Sequence, residues 1–166
     1  MQEPTVSSNV KETSGMRAQS DQDIGEFMDE FEAAVRTGKL EDIAKFYADD
    51  LVVYDMTPPL QYKSKEQFLK VTWKESFLDI FAFPVEYSIQ QRMIEVRGDL
   101  ALVSGLAHLK ASPKAEGESV DGWLRLTSGL KQVHGKWAIY HEHTSVPVDL
   151  ESGKAIMDLT PDAKFH

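Results

Sequence analysis

Between Val85 and Val146 the chain holds four runs rich in β-branched and apolar residues, with no helical period among them. They are Val85 to Val96, Leu100 to Ala111, Val120 to Val133 and Trp137 to Val146. The connections are Arg97-Gly98-Asp99, the polar loop Ser112 to Gly117, and His134-Gly135-Lys136, which has the composition of a tight hairpin turn. Parallel strands need crossovers of roughly a dozen residues or more, so such short links predict an antiparallel meander. Gly129, inside the third run, is a candidate bulge position.

The first half has a different period. Ile24, Phe27, Met28, Phe31, Ala34 and Val35 recur at helical spacing. Asp21 or Asp23 can cap that helix, Glu26 sits three residues after Asp23 as in a capping box, and Gly38 ends it. Leu40, Ile43, Ala44 and Tyr47 give a second, short helix. Leu51 to Met56 reads as a strand stopped by Thr57-Pro58-Pro59. Ser64 caps a third helix carrying Phe68, Leu69, Thr72, Trp73, Phe77 and Ile80. Helices gathered early and strands gathered late predict an α+β fold. Long strands twist and curl, and a helical layer is the available filler for the concave face. Where that layer fills incompletely, a pocket remains.

The 166 residues suit one domain. Residues 1–20 are poor in large apolar side chains and are expected to form a disordered tail. Residues 21–150 form the domain, and 151–166 a C-terminal tail. With no cysteine, disulfides, thiolate metal sites and cysteine nucleophiles are excluded. A net charge of -9 repels phosphate backbones and anionic lipid, so neither nucleic acid nor membrane is an expected partner. The opening residues show no basic and apolar leader pattern, and a cytoplasmic protein is expected.

The densest polar cluster is Trp137-Ala-Ile-Tyr-His141-Glu142-His143-Thr-Ser145. Strict alternation places Trp137, Ile139, His141, His143 and Ser145 on one face, and Ala138, Tyr140, Glu142, Thr144 and Val146 on the other. In the preceding strand Trp123, Arg125 and Thr127 oppose Leu124 and Leu126, which read as core. The face mixing rings, a guanidinium, hydroxyls and imidazoles is expected to look inward onto a hollow, because ligand sites combine apolar walls with a few convergent polar groups. Two same-face imidazoles about 6.5–7 Å apart can share a metal, but no spacing supplies a third ligand. They can equally hydrogen-bond within a polar pocket or at a subunit contact. Asp55, at a strand end beside Tyr54, can act as a base if an apolar cavity raises its pKa, or can accept bonds from amides at the proline turn. Arg125 is expected to be half-buried and then to need a partner, either a ligand carboxylate or an internal acid such as Asp55 or Glu142. His108 reads as a satisfied core or rim histidine. No Gly-x-Ser-x-Gly elbow and no phosphate-binding glycine loop exist.

Arg125-Leu-Thr127, followed by Gly135-Lys-Trp137-Ala-Ile139-Tyr-His141-Glu-His143-Thr-Ser145-Val-Pro147, resembles the last strands of SnoaL-like, ketosteroid-isomerase-like proteins of the nuclear-transport-factor-2-like superfamily. Tyr54-Asp55-Met56-Thr57-Pro58-Pro59-Leu60 resembles the end of that family's first strand. The resemblance implies a cone-shaped α+β barrel, its strongly curved, mostly antiparallel sheet wrapped around three N-terminal helices, and often a homodimer. No cofactor is expected. The function expected is binding of a small hydrophobic or anionic molecule, with isomerase or lyase chemistry on an apolar carbonyl or carboxylate ligand. The candidate catalytic residues are Asp55 and His143, either of which would move the proton. Tyr54, Trp73, Trp123, Arg125, Thr127 and His141 are the candidate ligand-binding residues, with Arg125 holding an anionic or carbonyl group. The alternatives are a non-catalytic assembly domain with a vestigial pocket, and a metal-dependent enzyme using His141 and His143.

Overall fold

The computed structural model describes residues 7–162, with side chains described from Ser20 onward. Helix α1 spans Ser7–Thr37 and α2 spans Leu40–Ala44. Strand β1 is Tyr47–Tyr54, and α3 is Lys65–Phe68, which continues as a wider π-type helix over Leu69–Leu78. Strands β2 (Glu86–Arg97), β3 (Leu100–Ala111), β4 (Val120–Val133) and β5 (Lys136–Ser145) complete the chain.

The helix starts differ from the expectation at one end. The α1 backbone is already helical at Ser7, so Asp21 and Asp23 are interior positions of the helix and not its N-terminus. The part of the expected tail at residues 1–6 lies outside the described residues. Ser64 does cap α3, its Oγ accepting from the Gln67 amide at 3.3 Å. Gly38 ends α1 at φ +72°, a conformation that costs a Cβ-bearing residue steric strain, and the Phe83 ring occupies the space a Cβ would need. His134 and Gly135 both have positive φ, as a two-residue hairpin of the I′ kind requires.

The sheet has five strands in the order β1-β5-β4-β3-β2. β2 to β5 form the antiparallel meander, and β1 joins β5 in parallel, with Val52 opposite His141 and Tyr54 opposite His143. The sheet is mixed and open: β1 and β2 are its two edges. This corrects the expectation of a strongly curved, cone-shaped barrel wrapped around the helices. Closure needs every edge paired, and about eight strands are needed for an interior just wide enough for side chains to fill. Five cannot encircle this interior. It contains Phe31, ringed edge-on by Phe46, Tyr47, Trp73 and Tyr87 at centroid distances of 5.4 to 6.5 Å. The helices instead form a layer on one face of the sheet. Ile24, Met28, Phe31 and Val35 of α1, Ile43 of α2, and Phe68 and Trp73 of the third helix bury against Leu51, Val53, Val103, Leu126, Leu130 and Ile139.

Two bulges bend the strands. In β2, Gln90 pairs with Leu106 and Met93 with Ser104, leaving one extra residue, and Gln91 takes φ 51°. A buried carboxylate secures this irregularity. Glu32 of α1 accepts from the Ile89 amide at 2.7 Å, from Arg36 at 2.7 Å, and from Arg92 of the bulge itself. Arg92 Nε also donates to the Ile89 carbonyl at 3.0 Å, and Arg36 Nε to the Tyr87 carbonyl at 2.9 Å. The helix is therefore tied to β2 through charged hydrogen bonds that satisfy backbone groups on the open side of this edge strand. The second bulge lies in β5. Gly129 pairs with His141 but Leu130 with Ile139, so Tyr140 is the extra residue. The Tyr140 ring sits 3.2 Å from where a Gly129 Cβ would be, which is why glycine faces it. Among the described residues, no helix is long and apolar enough to cross a membrane.

Candidate functional site

The β5 bulge decides which side chains reach the interior. Strict alternation would put His141 and His143 on the face of Ile139. One extra residue shifts the phase by one, and every side chain beyond it changes sides. Ile139 is fully buried on the helix-facing side, and so is Glu142, which is only 4% exposed. His141 and His143 point to the opposite face. There the His141 Nδ1 hydrogen-bonds the Val52 carbonyl at 2.8 Å, and both rings meet Tyr54 edge-on at 5.1 and 5.9 Å. In β4, Leu126 and Ser128 are buried on the inner side, so Trp123, Arg125 and Thr127 alternate to the outer one. The hydrophilic side of the last two strands therefore looks outward, not onto the hollow. Among the described residues, no group of three or more His, Asp or Glu is gathered as a metal ion would require.

A cavity of about 310 Å³ does lie between the helices and the sheet. Its walls are mainly apolar: Phe31 and Val35 of α1, Phe68, Trp73 and Phe77 of the third helix, and Leu109, Leu124 and Leu126 of the sheet. Of the residues singled out in the sequence, Asp55 and Trp73 line it; Tyr54, Trp123, Arg125, Thr127, His141 and His143 do not. Asp55 also serves the proline turn, its Oδ1 accepting from the Thr57 amide at 3.0 Å and the Thr57 hydroxyl at 3.3 Å.

The polar group that alternation missed is Glu142. The Tyr47 hydroxyl donates to its two carboxylate oxygens at 3.2 and 3.3 Å, and Ser128 Oγ donates at 3.5 Å. Burial pushes the Glu142 carboxyl up to about 8, the Tyr47 bond opposes this, and the charge of Asp55 adds to it. Neutral pH thus finds Glu142 mostly as the acid, a proton donor in an apolar wall. The Tyr47 and Tyr87 hydroxyls are held well above the usual phenol range, chiefly by burial and then by the Glu142 charge. Two further polar atoms on lining residues, Thr72 Oγ1 and Trp73 Nε1, are buried without a hydrogen-bond partner. The Trp73 ring meets the Tyr47 ring at a centroid distance of 6.4 Å. The signal for Glu142 was Gly129: a glycine opposite the strand centre marks the phase shift that carries an acid inward.

The model of the SnoaL-like domain matches residues 24–149. The chain belongs to the SnoaL-like family. A crystal structure of an NTF2-like protein of unknown function from Pseudomonas putida is 30% identical, with 87% of this chain and 98% of that one covered and a TM-score of 0.75. A putative calcium/calmodulin dependent protein kinase II association domain from Xanthomonas campestris is 25% identical over 73% of this chain and 83% of that one, at a TM-score of 0.62. A putative scytalone dehydratase from Novosphingobium aromaticivorans is 12% identical, covers 92% and 99%, and has a TM-score of 0.71; it shares the fold with this SnoaL-like chain. No curated protein matches. The SnoaL-like match spans every strand, so both walls of the cavity belong to the family's domain.

Proposed function

We propose that the inner cavity binds a small, largely apolar molecule bearing a carbonyl, and that Glu142 and Asp55 move its protons. The observation that carries this reading is Glu142: a carboxyl buried to 4% exposure and protonated up to about pH 8, in the wall of an aromatic cavity. A neutral carboxylic acid donates a hydrogen bond to a carbonyl oxygen and stabilises the charge that develops there when a neighbouring C–H is deprotonated. Asp55 lines the same cavity and is the base in this scheme; its Oδ2 makes no hydrogen bond among the described residues. The reaction class is proton transfer next to a carbonyl, the common step of isomerisation and of elimination. His143, on the outer face, has no part in it.

The test is α-proton exchange in heavy water. Cyclohexenone, 2-tetralone and similar cyclic ketones are incubated with the protein, and deuterium uptake is followed by NMR. The wild type is expected to accelerate exchange of at least one ketone. Glu142→Gln keeps the shape but removes the acid and should lower the rate about 10²-fold or more. Equal rates for wild type and variant across the panel would refute proton transfer. Ligand binding that survives such a result, read by native mass spectrometry, would favour the second reading, a non-catalytic binding module.

The outer face carries Met93 at 69%, Leu100 at 47% and Leu102 at 49% exposure on adjoining strands, more apolar surface than isolated residues give. We infer that two copies pair through this face. Leu102→Glu should turn the dimer into a monomer in sedimentation equilibrium; a wild type that sediments as a monomer refutes the pairing.

A further inference from the structure

On the sheet's outer side, a second cavity of about 230 Å³ lies where the C-terminal segment crosses the end of β4. Strand β5 stops pairing at Ser145, opposite Arg125, and Pro147 prevents its continuation. The start of β4 therefore lacks a neighbour on that side. The returning segment takes the place: the Trp123 amide donates to the Met157 carbonyl at 2.9 Å, and the Ile156 amide to the Pro147 carbonyl at 2.8 Å. This closes a hollow between Leu106, Trp123, Pro147, Ile156 and Leu159, with Arg125 on its wall. Trp123 is held in place from behind. It stacks on His108 at 4.2 Å with the rings nearly parallel, and His108 in turn bonds Asp121 at 2.7 Å.

Arg125 is the single charged group of this lining, and among the described residues it has neither an ion pair nor a hydrogen bond. Arg125 is exposed at the rim of this apolar hollow, so water solvates its guanidinium in the free protein and its planar fork is open to one carboxylate. One guanidinium balances a single negative charge, while the rings and aliphatic groups around it suit an apolar body. The net charge of -9 disfavours anions elsewhere on the molecule, which makes the local cation decisive.

We propose that this outer cavity is a second binding site, for a small carboxylate with an apolar ring or short chain. The carboxylate pairs with Arg125, and the body lies against Trp123, Leu106, Ile156 and Leu159. The site is separate from the inner cavity and does not depend on the chemistry proposed there; only Leu124 contributes to both walls.

The full chain is titrated with phenylacetate and, separately, with neutral phenylacetamide, while two-dimensional NMR follows the backbone, indole and guanidinium signals. Phenylacetate is expected to bind saturably and shift Trp123 and Arg125. Its Kd should rise about tenfold or more in Arg125→Ala, rise less in Arg125→Lys, and stay unchanged in Glu142→Gln. Phenylacetamide should bind wild type about tenfold or more weaker than the acid. No saturable binding, equal binding of acid and amide, or shifts confined to Thr72 and Trp73 of the inner cavity would overturn the proposal. Nuclear Overhauser contacts from Trp123 to residues beyond Asp162 in the free protein would also overturn it, because the chain's own end would then occupy the hollow.

Discussion

Glu142→Gln is expected to leave stability near pH 5 close to that of the wild type and to raise it clearly at pH 9. The folded protein keeps the Glu142 proton up to about pH 8, whereas the free side chain releases it near 4.5. Between those values the native state binds more protons than the unfolded chain, so the free energy of unfolding falls as pH rises and levels off above about 8. The carboxyl thus supports the fold fully below pH 4.5 and costs it most when ionised. The loss across the window is on the order of 4–5 kcal/mol. Glutamine has nearly the same shape, can accept from Tyr47 and Ser128, and carries no charge to desolvate. Urea unfolding of both proteins at pH 5, 7 and 9 measures the difference. Parallel pH profiles for the two would show that Glu142 ionises normally and would remove the acid from the proposed reaction.

Glu32→Ala is expected to be the most damaging single change outside the aromatic core. The carboxylate is 4% exposed and is bound by two guanidinium groups and by the Ile89 amide. Its removal leaves Arg92, whose side chain is 19% exposed, with Asp29 as its remaining acidic partner, and leaves the Ile89 amide buried without an acceptor. Breaking a buried charged network from one side costs about 3–5 kcal/mol, a large share of the roughly 5–15 kcal/mol by which domains are stable. Glu32→Gln retains an acceptor for the amide and should lose less. Chemical denaturation at pH 7 checks both, and hydrogen exchange should show protection lost first along β2. An unchanged denaturation midpoint for Glu32→Ala would mean that α1 is held to β2 by its apolar face alone.

The positions of these two acids explain how the sequence misleads. Alternation located β2 to β5, the hairpin at His134-Gly135 and the inward Leu126 correctly, because the period of two is a local property of the strand. It placed His141 and His143 inside because it carried the phase of Ile139 through Tyr140 without interruption. A bulge depends on pairing with another strand: the extra residue is visible only against Gly129 of β4. Glu32 was illegible for a similar reason. On α1 it is one acid among many, and only the docking of β2 gives it Arg92 and the Ile89 amide.

The sequence by itself determined the element order, the antiparallel meander, the Ser64 cap and the family, since each is written in residues close together along the chain. Tertiary structure decided three other things. The sheet stays open because five strands cannot enclose this many rings. Glu142, not the histidines, enters the hollow because one unpaired residue reverses the faces of β5. Arg125 acquires apolar company because the segment after Pro147 returns to β4. In each case the outcome is set by a contact between distant segments. A strand's period fixes how its side chains alternate, but its partner fixes which of them face inward.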